Sequence, residues 1–302
     1  MCGIAGIILN RVGAEPALQF RDIRTMTACL SHRGPDGEGF WNDPQGMAWF
    51  GHRRLAIIDT SAAAAQPMHY RNRFTIIYNG ELYNYKELRH ELAELGFTFQ
   101  TASDTEVILA AFCHYQEECL LKFDGMFALA IWDNQENRLF LARDRFGEKP
   151  LFFYTDPGGR FLFASEMKAF WSVGAPKQME EDQKLLFLAT GTTGFPLEPS
   201  RTIYKAIFQL PAASYAYLHP QQEVFPALSA TRYWDLDTRL QSDLKENQAE
   251  DKLMELLEAS VQTRLRADLP SGTSLSGGVD SGTIAALAGK NKGKGWNSST
   301  AI

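Results

Sequence analysis

Short apolar or alternating runs recur along the first two hundred residues, and segments with helical spacing separate them. Runs of this length that are bounded by Gly, Pro, Asn or Asp predict strands. The predicted strands are Ile4–Leu9, Gly46–Gly51, Leu55–Ile58, Phe74–Tyr78, Phe127–Trp132, Arg138–Ala142, Leu151–Tyr154 and Phe161–Ala164. The predicted helices are Asp22–Leu30, Tyr85–Leu95 and Asp104–His114. Many strands with few helices indicate layered sheets that are covered by helices.

The hydrophobic pattern loosens from Pro211 to about Asp243, where His219-Pro220 and Pro226 interrupt it. We therefore predict a linker over residues 219–243, between a first domain over 2–218 and a second over 244–302. An amphipathic helix opens the second domain, with acidic residues in its early turns and arginines in its last, as the helix dipole favours. Its apolar stripe consists of Leu253, Leu256, Leu257, Val261 and Leu265.

Composition narrows the class of protein. The 302 residues are 45% hydrophobic and 22% charged, as in globular proteins, and no apolar run approaches the length of a membrane span. The first residues lack the basic start of a secretory signal, and a net charge of −6 provides no footprint for nucleic acid. Four cysteines are too few for a disulfide framework, so we expect a cytoplasmic enzyme. Cys113-His114 with Cys119 lacks zinc spacing, which favours helix packing for these residues.

The start of the chain, Met1-Cys2-Gly3, provides a candidate nucleophile. Removal of Met1 would give Cys2 both a thiol and a free α-amine, so that the nucleophile and its base would share one residue. Such an amine titrates at about pH 8, which leaves a neutral fraction at cellular pH. By itself this feature is weak, because a cysteine near the start of a chain often occurs by chance.

Many further motifs follow Cys2 in a fixed order. They are Ser31-His32-Arg33-Gly34-Pro35-Asp36-Gly37, His52-Arg53-Arg54-Leu55, Gln66-Pro67-Met68, Tyr78-Asn79-Gly80-Glu81-Leu82-Tyr83-Asn84, Asp104-Thr105-Glu106, Asp124-Gly125-Met126-Phe127-Ala128, Arg143-Asp144-Arg145-Phe146-Gly147-Glu148-Lys149-Pro150-Leu151 and Ala164-Ser165-Glu166-Met167-Lys168. The set closely resembles the glutamine-hydrolysing asparagine synthetase family over roughly residues 2–290. The resemblance implies an α+β, four-layer αββα N-terminal-nucleophile hydrolase fold for the first domain, which would be a class II glutamine amidotransferase (glutaminase).

The resemblance also implies roles for individual residues. Cys2 would attack the glutamine amide, and the Asn79 side chain and Gly80 N–H would form the oxyanion hole. Arg54 would bind the α-carboxylate, because a guanidinium pairs with it bidentately. The remaining positions implied in the glutamine site are Leu55, Ile57, Ile58, Glu81 and Asp104, with the last two binding the α-ammonium.

Several of these residues have ordinary interpretations when they are considered alone. Asn79-Gly80 is typical of a hairpin turn, and Asp104 of a helix cap. Glu81 is typical of a solvated charge. Arg53 competes with Arg54 as the carboxylate ligand, and only the family's His-x-Arg-Leu spacing selects Arg54.

The second domain contains Leu275-Ser276-Gly277-Gly278-Val279-Asp280-Ser281 between a strand and a helix, which resembles the pyrophosphate loop of ATP-pyrophosphatases. Its glycines expose backbone N–H groups at a helix N-terminus. By resemblance Leu275, Ser276, Gly277, Gly278, Asp280 and Ser281 would bind ATP, with Asp280 on Mg²⁺. The glutaminase needs no cofactor; its ammonia would attack β-aspartyl-AMP, which is made from ATP and L-aspartate, to give asparagine.

Three departures from the family concern this second domain. The strand that starts at Ser271 is unusually polar, Gly282 replaces a common serine, and residues 290–300 look like a flexible tail in place of the next buried strand. We therefore expect residues 244–302 to be a truncated α/β ATP-pyrophosphatase-type domain, since about 59 residues cannot close such a core. Asparagine synthesis by this chain alone is expected to be absent.

Other hypotheses stay open. The amidotransferase could serve another acceptor, such as a surface polysaccharide or peptide, because the glutaminase motifs would be the same. The chain could also be an inactive remnant whose Leu253–Leu265 stripe pairs with another subunit. L-glutamine is the expected small-molecule partner, a homodimer is compatible with the sequence, and neither nucleic acid nor membrane is expected as a partner.

Overall fold

The structure, a computed structural model, describes residues 1–11, 15–195, 197–220, 228–270, 272–292 and 297–299. The chain divides into two compact units. The first unit comprises Met1–Ala56 and Ser61–Asp235, and the second comprises Ile57–Thr60 and Leu236–Ile302. The domain limits given above stay predictions, and residues 221–227 of the predicted linker lie outside the described residues.

The first unit is built from short strands and six α-helices within the described ranges. Its strands are β1 (Gly3–Ile8), β2 (Gly37–Asn42), β3 (Ala48–Arg54), β4 (Met68–Tyr70), β5 (Phe74–Leu82), β6 (Gly125–Asp133), β7 (Arg138–Arg143), β8 (Phe152–Thr155), β9 (Phe161–Ala164), β10 (Ile207–Gln209), β11 (Ser214–Leu218) and β12 (Thr231–Arg232). Its helices are α1 (Pro16–Ala28), α2 (Tyr85–Glu94), α3 (Asp104–Tyr115), α4 (Cys119–Lys122), α5 (Lys168–Trp171) and α6 (Glu181–Thr190).

Two six-stranded antiparallel sheets form the centre of this unit. Sheet I has the strand order β10-β8-β9-β1-β3-β2, and sheet II has the order β12-β11-β7-β6-β5-β4. One buried cluster draws side chains from both sheets, among them Ile4, Phe50, Ile77 and Trp132, so the two sheets pack face to face.

Helices cover the outer faces of both sheets. A second buried cluster joins Ala5 and Ile7 of β1 to Ile23 and Met26 of α1, on the face of sheet I away from sheet II. On the other side α3 packs against β5, and α2 packs against α3. The layers therefore follow the order αββα, which confirms the predicted four-layer fold.

The second unit is smaller and contains one parallel strand pair. Its elements are α7 (Glu246–Arg264), β13 (Gly272–Ser274), α8 (Val279–Lys292) and β14 (Asn297–Ser299). Because β13 and β14 pair in parallel around α8, the expectation of a flexible tail over residues 290–300 is wrong for the described part. Residues 293–296 and 300, like Ser271 before β13, lie outside the described residues.

One further expectation from the hydrophobic pattern is wrong. Leu55–Ile58 is not a strand, because side chains bind its backbone N–H groups in place of a neighbouring strand: Leu55 N–H donates to Cys2 Sγ, and Ala56 N–H donates to Asp36 Oδ2. The structure also contains a strand that was not predicted: β11, which lies before the predicted linker and pairs with β7. A sequence window does not contain such a distant partner strand, so it gave no signal for β11.

Candidate active site around Cys2

Strand alternation places Cys2 in the space between the sheets. Successive side chains of a strand point to opposite faces, and Ile4 of β1 and Phe50 of β3 belong to the core between the sheets. Cys2, just before β1, and Arg54, the last residue of β3, are in phase with them. In sheet II, Ile77 belongs to the same core, so Asn79 also faces it.

The Cys2 thiol is held by the segment after β3. Leu55 N–H donates to Cys2 Sγ at 3.3 Å, and the thiol lies 3.6 Å from Leu55 O. Burial raises the pKa of the Cys2 thiol, although the Leu55 N–H bond opposes this effect. The thiol therefore needs a base to become nucleophilic near neutral pH.

The α-amine in this chain belongs to Met1, which precedes Cys2. Burial lowers the pKa of the Met1 α-amine, and the positive charges of Arg33 and Lys149 act in the same direction. Lys149 Nζ lies 3.2 Å from Met1 Sδ. The charges of Cys2 and Asp36 act in the opposite direction, but burial is the largest effect and the net shift favours the neutral amine.

A network of side chains fixes the start of β1. Arg33 Nε donates to Cys2 O at 2.9 Å, and Ile4 N–H donates to Ser165 Oγ at 3.0 Å. Burial disfavours the Glu166 carboxylate, yet hydrogen bonds from Arg33, Lys168 and His32 outweigh it and lower the pKa of Glu166 to about 2. This explains why two of the ordered motifs, Ser31–Gly37 and Ala164–Lys168, contain charged residues near a buried strand.

Asn79 has a buried polar side chain without a hydrogen-bond partner. It is completely buried, and among the described residues neither Nδ2 nor Oδ1 is bonded. An unsatisfied buried polar group costs about 1–3 kcal/mol, so such an amide is suited to bind a ligand atom. Asn79 and Gly80 both lie inside β5, and the hairpin-turn interpretation is therefore wrong.

The Gly80 N–H points to the edge of β5 away from β6. Tyr78 N–H donates to Gln66 Oε1 at 2.6 Å, and Leu82 N–H donates to Asp104 Oδ2 at 3.0 Å. Because backbone groups alternate along a strand, the N–H of the residue between them points the same way. Asn79 and Gly80 thus offer a side-chain donor and a backbone donor in succession.

The carboxylates of Asp104 and Glu81 are close enough to influence each other. Asp104 Oδ2 accepts hydrogen bonds from Tyr78 OH and Leu82 N–H, while burial raises the pKa of Asp104. Burial, with the neighbouring charge of Asp104, raises the pKa of Glu81 to about 7. The helix-cap interpretation of Asp104 is wrong, because Ser103 is the residue that caps α3.

The structure distinguishes Arg54 from Arg53. Arg53 pairs with Glu38 at 2.8 Å and its Nε donates to Thr27 O of α1, so it serves the outer face of sheet I. Arg54 Nη1 donates to Ser61 O at 2.7 Å. Asp36 N–H donates to Arg54 O, which fixes the end of β3.

The other predicted contacts of the glutamine site are divided between the units. Leu55 touches Cys2, as described. Ile57 and Ile58 belong to the segment that clusters with the second unit, where Asp268 N–H donates to Ile57 O at 3.1 Å. Their assignment to the glutamine site stays a prediction.

The predicted phosphate loop lies between β13 and α8 of the second unit. Ser276 Oγ and Ser281 Oγ are 2.9 Å apart, and Gly277 has a φ of +81°, which favours glycine. No heavy atom lies within 4 Å of a Cβ built on Gly277, so the loop has open space beside it. Asp280 lies in the first turn of α8. Among the described residues, no group of three or more His, Cys, Asp or Glu could hold a metal ion.

Sequence reasoning assigned no role to three buried polar residues of this site: His52, Gln66 and Lys149. All three lie in the ordered motifs quoted above. The available signal was their place in these motifs, together with the position of His52 and Lys149 close to predicted strands.

Two antiparallel sheets between helices, with a cysteine just before a central strand, are the arrangement of the N-terminal-nucleophile hydrolase fold. Residues 1–234 match the family described as "Glutamine amidotransferase domain", and residues 252–300 match "Asparagine synthase". The chain therefore belongs to the glutamine amidotransferase domain family.

Comparison with individual proteins agrees with this assignment. The chain is 38% identical to asparagine synthetases [glutamine-hydrolyzing] 3 and 1 of Bacillus subtilis (strain 168), over 95% of its length in each case. It spans 45% and 44% of these relatives. These matches confirm the resemblance to glutamine-hydrolysing asparagine synthetases. They also confirm the prediction that the chain is an enzyme of the glutamine amidotransferase type.

A solved structure supports the fold. Glutamine phosphoribosylpyrophosphate amidotransferase from B. subtilis superposes with a TM-score of 0.55 at 18% identity, covering 99% of this chain and 65% of the other. At this identity the likeness concerns the fold alone. Separately, no helix in the described part of the chain is long and apolar enough to cross a membrane.

Proposed function

We propose that the first unit hydrolyses L-glutamine to L-glutamate and ammonia, with Cys2 as the nucleophile. The observation that carries this proposal is the completely buried Asn79 amide, which has no hydrogen-bond partner among the described residues and faces the same space as Cys2. A donor that is buried and already in place does not need to be reoriented when negative charge develops on a substrate oxygen.

The first step needs the free α-amine of Cys2, so Met1 must be removed. The amine takes the thiol proton, and the thiolate sulfur bonds to the side-chain amide carbon of glutamine. The resulting oxyanion accepts hydrogen bonds from Asn79 Nδ2 and Gly80 N–H, each of which is typically worth a factor of about 10²–10³. When the carbon–nitrogen bond breaks, the ammonium group returns the proton to the leaving nitrogen, and ammonia leaves.

The second step hydrolyses the thioester. The neutral amine takes a proton from water, the hydroxide oxygen adds to the thioester carbon, and the same two donors stabilise the oxyanion. The carbon–sulfur bond breaks, the thiolate recovers a proton, and glutamate leaves. Arg54 would bind the α-carboxylate bidentately, and Asp104 and Glu81 would bind the α-ammonium, which selects a free amino acid.

We further propose that this ammonia amidates L-aspartate in an ATP-dependent reaction. The support is the match of residues 252–300 to "Asparagine synthase" and the names of the Bacillus relatives. The donors of the loop suit phosphate: backbone N–H groups of Gly277 and Gly278, and the Ser276 and Ser281 hydroxyls. Leu275 would lie beside ATP, and Asp280 would hold Mg²⁺, which prefers carboxylate and phosphate oxygens. We also propose that the protein forms a homodimer and is located in the cytoplasm.

The test is glutamate release by the whole chain, with Cys2→Ala as the matched control. Intact mass first establishes that Met1 is absent from the sample. We expect wild-type release that the control abolishes; a chain without Met1 that releases no glutamate would contradict the proposal. Adding L-aspartate with ATP and Mg²⁺ then tests the acceptor. Asparagine formation would support the second proposal and contradict the expectation that this chain alone makes none. Glutaminase activity without asparagine would agree with that expectation, and would also fit another acceptor.

A further inference from the structure

The part of β5 that carries the proposed oxyanion hole lacks a strand partner on one edge. β4 begins at Met68, which pairs with Ile76, so the β4 side of residues 78–80 is not covered by a strand. This opening leaves the Gly80 N–H available to a substrate. It also leaves the N–H and C=O groups on this edge without ladder hydrogen bonds, while the opposite edge pairs with β6.

Two buried side chains bind the Tyr78 peptide groups in place of the strand. Gln66 Oε1 accepts from Tyr78 N–H at 2.6 Å, and His52 Nε2 lies 3.2 Å from Tyr78 O. The Tyr78 carbonyl belongs to the same peptide plane as the Asn79 N–H. Fixing this plane orients the backbone from which the Asn79 side chain and the Gly80 N–H project.

The chemistry of His52 fits this contact. His52 is completely buried between the sheets, and burial lowers its pKa to about 3, with the positive charge of Arg54 acting in the same direction. The imidazole is therefore neutral at cellular pH. Since a carbonyl only accepts hydrogen bonds, Nε2 must carry the proton, and His52 Nδ1 is left without a partner among the described residues.

We propose that His52 and Gln66 are positioning residues of the oxyanion hole, which hold the Tyr78 peptide so that Asn79 and Gly80 meet the substrate oxygen in the reactive geometry. The inference rests on the proposed glutaminase function. Neither residue touches the substrate, so both would act on the rate of the chemical steps more than on glutamine affinity.

The decisive comparison is between His52→Leu and His52→Gln. Leucine fills a similar volume without a donor, whereas the glutamine amide can present N–H near the position of imidazole Nε2. We expect His52→Leu to lower kcat by about 10-fold or more, because a small misplacement of transition-state donors is costly, with KM within about 2-fold of wild type. His52→Gln should recover most of kcat.

Gln66 gives an independent variant. Gln66→Leu removes the acceptor for Tyr78 N–H, and it also removes the 3.3 Å contact of Gln66 Nε2 with Thr105 Oγ1, next to Asp104. We therefore expect a fall in kcat with a smaller rise in KM. His69→Leu is the matched control, because His69 also contacts β5, at Thr75 Oγ1 (3.0 Å), but away from Asn79. It should leave both constants near wild type.

Hydrogen exchange separates this inference from the proposed function. In wild type and in the three leucine variants, exchange is measured for peptides that cover residues 78–82 and, as an internal reference, 138–143. Faster exchange confined to 78–82 in His52→Leu and Gln66→Leu supports the positioning role even if the wild-type chain hydrolyses no glutamine, which would contradict only the proposed function. An active wild type with unchanged kcat in both variants, or an inactive one with unchanged exchange, would overturn the inference.

Discussion

Individual polar residues in the space between the sheets determine what this site can do. Asn79 is buried, and neither of its amide atoms has a partner in the part of the chain that the structure describes. Asp104 is buried with its carboxylate bonded by Tyr78 OH and Leu82 N–H. The first is available to a substrate atom, and the second is already held in place. The adjacent arginines have different partners, because Arg53 pairs with the Glu38 carboxylate and Arg54 Nη1 donates to Ser61 O.

Replacing Arg54 tests the proposed carboxylate contact. Arg54→Ala should raise KM for glutamine by about 10-fold or more, since a hydrogen bond to a charged group contributes about 1.5–3 kcal/mol. The measurement is steady-state glutamate release at varied glutamine concentration. Arg53→Ala is the neighbouring control and should leave KM near wild type. If both substitutions raised KM equally, the assignment of the carboxylate contact to Arg54 rather than Arg53 would be wrong.

The pKa of Glu81 predicts a pH-dependent stability. Burial raises this pKa from 4.5 to about 7, so the folded chain retains a proton that the unfolded chain loses in this window. Glu81 therefore lowers the free energy of unfolding as pH rises from 4.5 to about 7. Glu81→Gln should lose less stability than wild type between about pH 5 and about pH 8, as measured by urea unfolding. A parallel pH dependence in both proteins would refute the assignment.

Strand β5 joins the substrate-binding and structural parts of the first unit. Its N–H groups on one edge are bound by Gln66 and Asp104, and its other edge pairs with β6. At Gly80 the neighbouring strand is so close that a Cβ would lie 2.3 Å from Met126 O and 2.8 Å from Phe127 Cα. The glycine is required by this contact between β5 and β6.

Gly80→Ala tests that close approach. The added methyl group meets backbone, which cannot rotate away, so the strands must separate, at a cost of about 1–3 kcal/mol in the free energy of unfolding. Urea unfolding measures the change. Gly194→Ala is a suitable control, because among the described residues beyond its chain neighbours no atom lies within 4 Å of its built Cβ. If both variants had the wild-type free energy of unfolding, the close contact of Gly80 with β6 would be contradicted.

The whole molecule consists of two units that differ in how much they bury. The first contains two large buried clusters, whereas α7 of the second has no buried residue. Leu253 and Leu256 of the predicted stripe are 57% and 56% exposed. Packing of an apolar face provides most of a helix's stability in proteins, so α7 should open more readily than helices of the first unit.

Hydrogen exchange of the whole chain checks this difference. We expect peptides from 246–264 to exchange faster than peptides from 104–115, because nine residues of α3 are buried. The comparison is made within one sample, so the two helices control for each other. Equal protection at low concentration that is lost on further dilution would show that the stripe is covered by a second copy.

The sequence by itself determined the layered architecture and the family. Continuous apolar runs such as Phe127–Trp132 identified buried strands, because a strand between two layers must be apolar on both faces. The ordered motifs also named Cys2, Asn79, Gly80, Arg54, Glu81 and Asp104, whose arrangement in space is compatible with one site. Their roles remain proposals. Their spacing along the chain did not predict the distances between them or their hydrogen-bond partners.

Only the tertiary structure decided which backbone and side-chain groups have partners. Leu55–Ile58 has the composition of a strand, but Cys2 and Asp36 bind its N–H groups. Asn79-Gly80 is typical of a turn, but β6 holds it extended. The sequence contains no local signal for His52 and Gln66 around Tyr78, because this contact depends on where β4 begins and on how closely the two sheets pack.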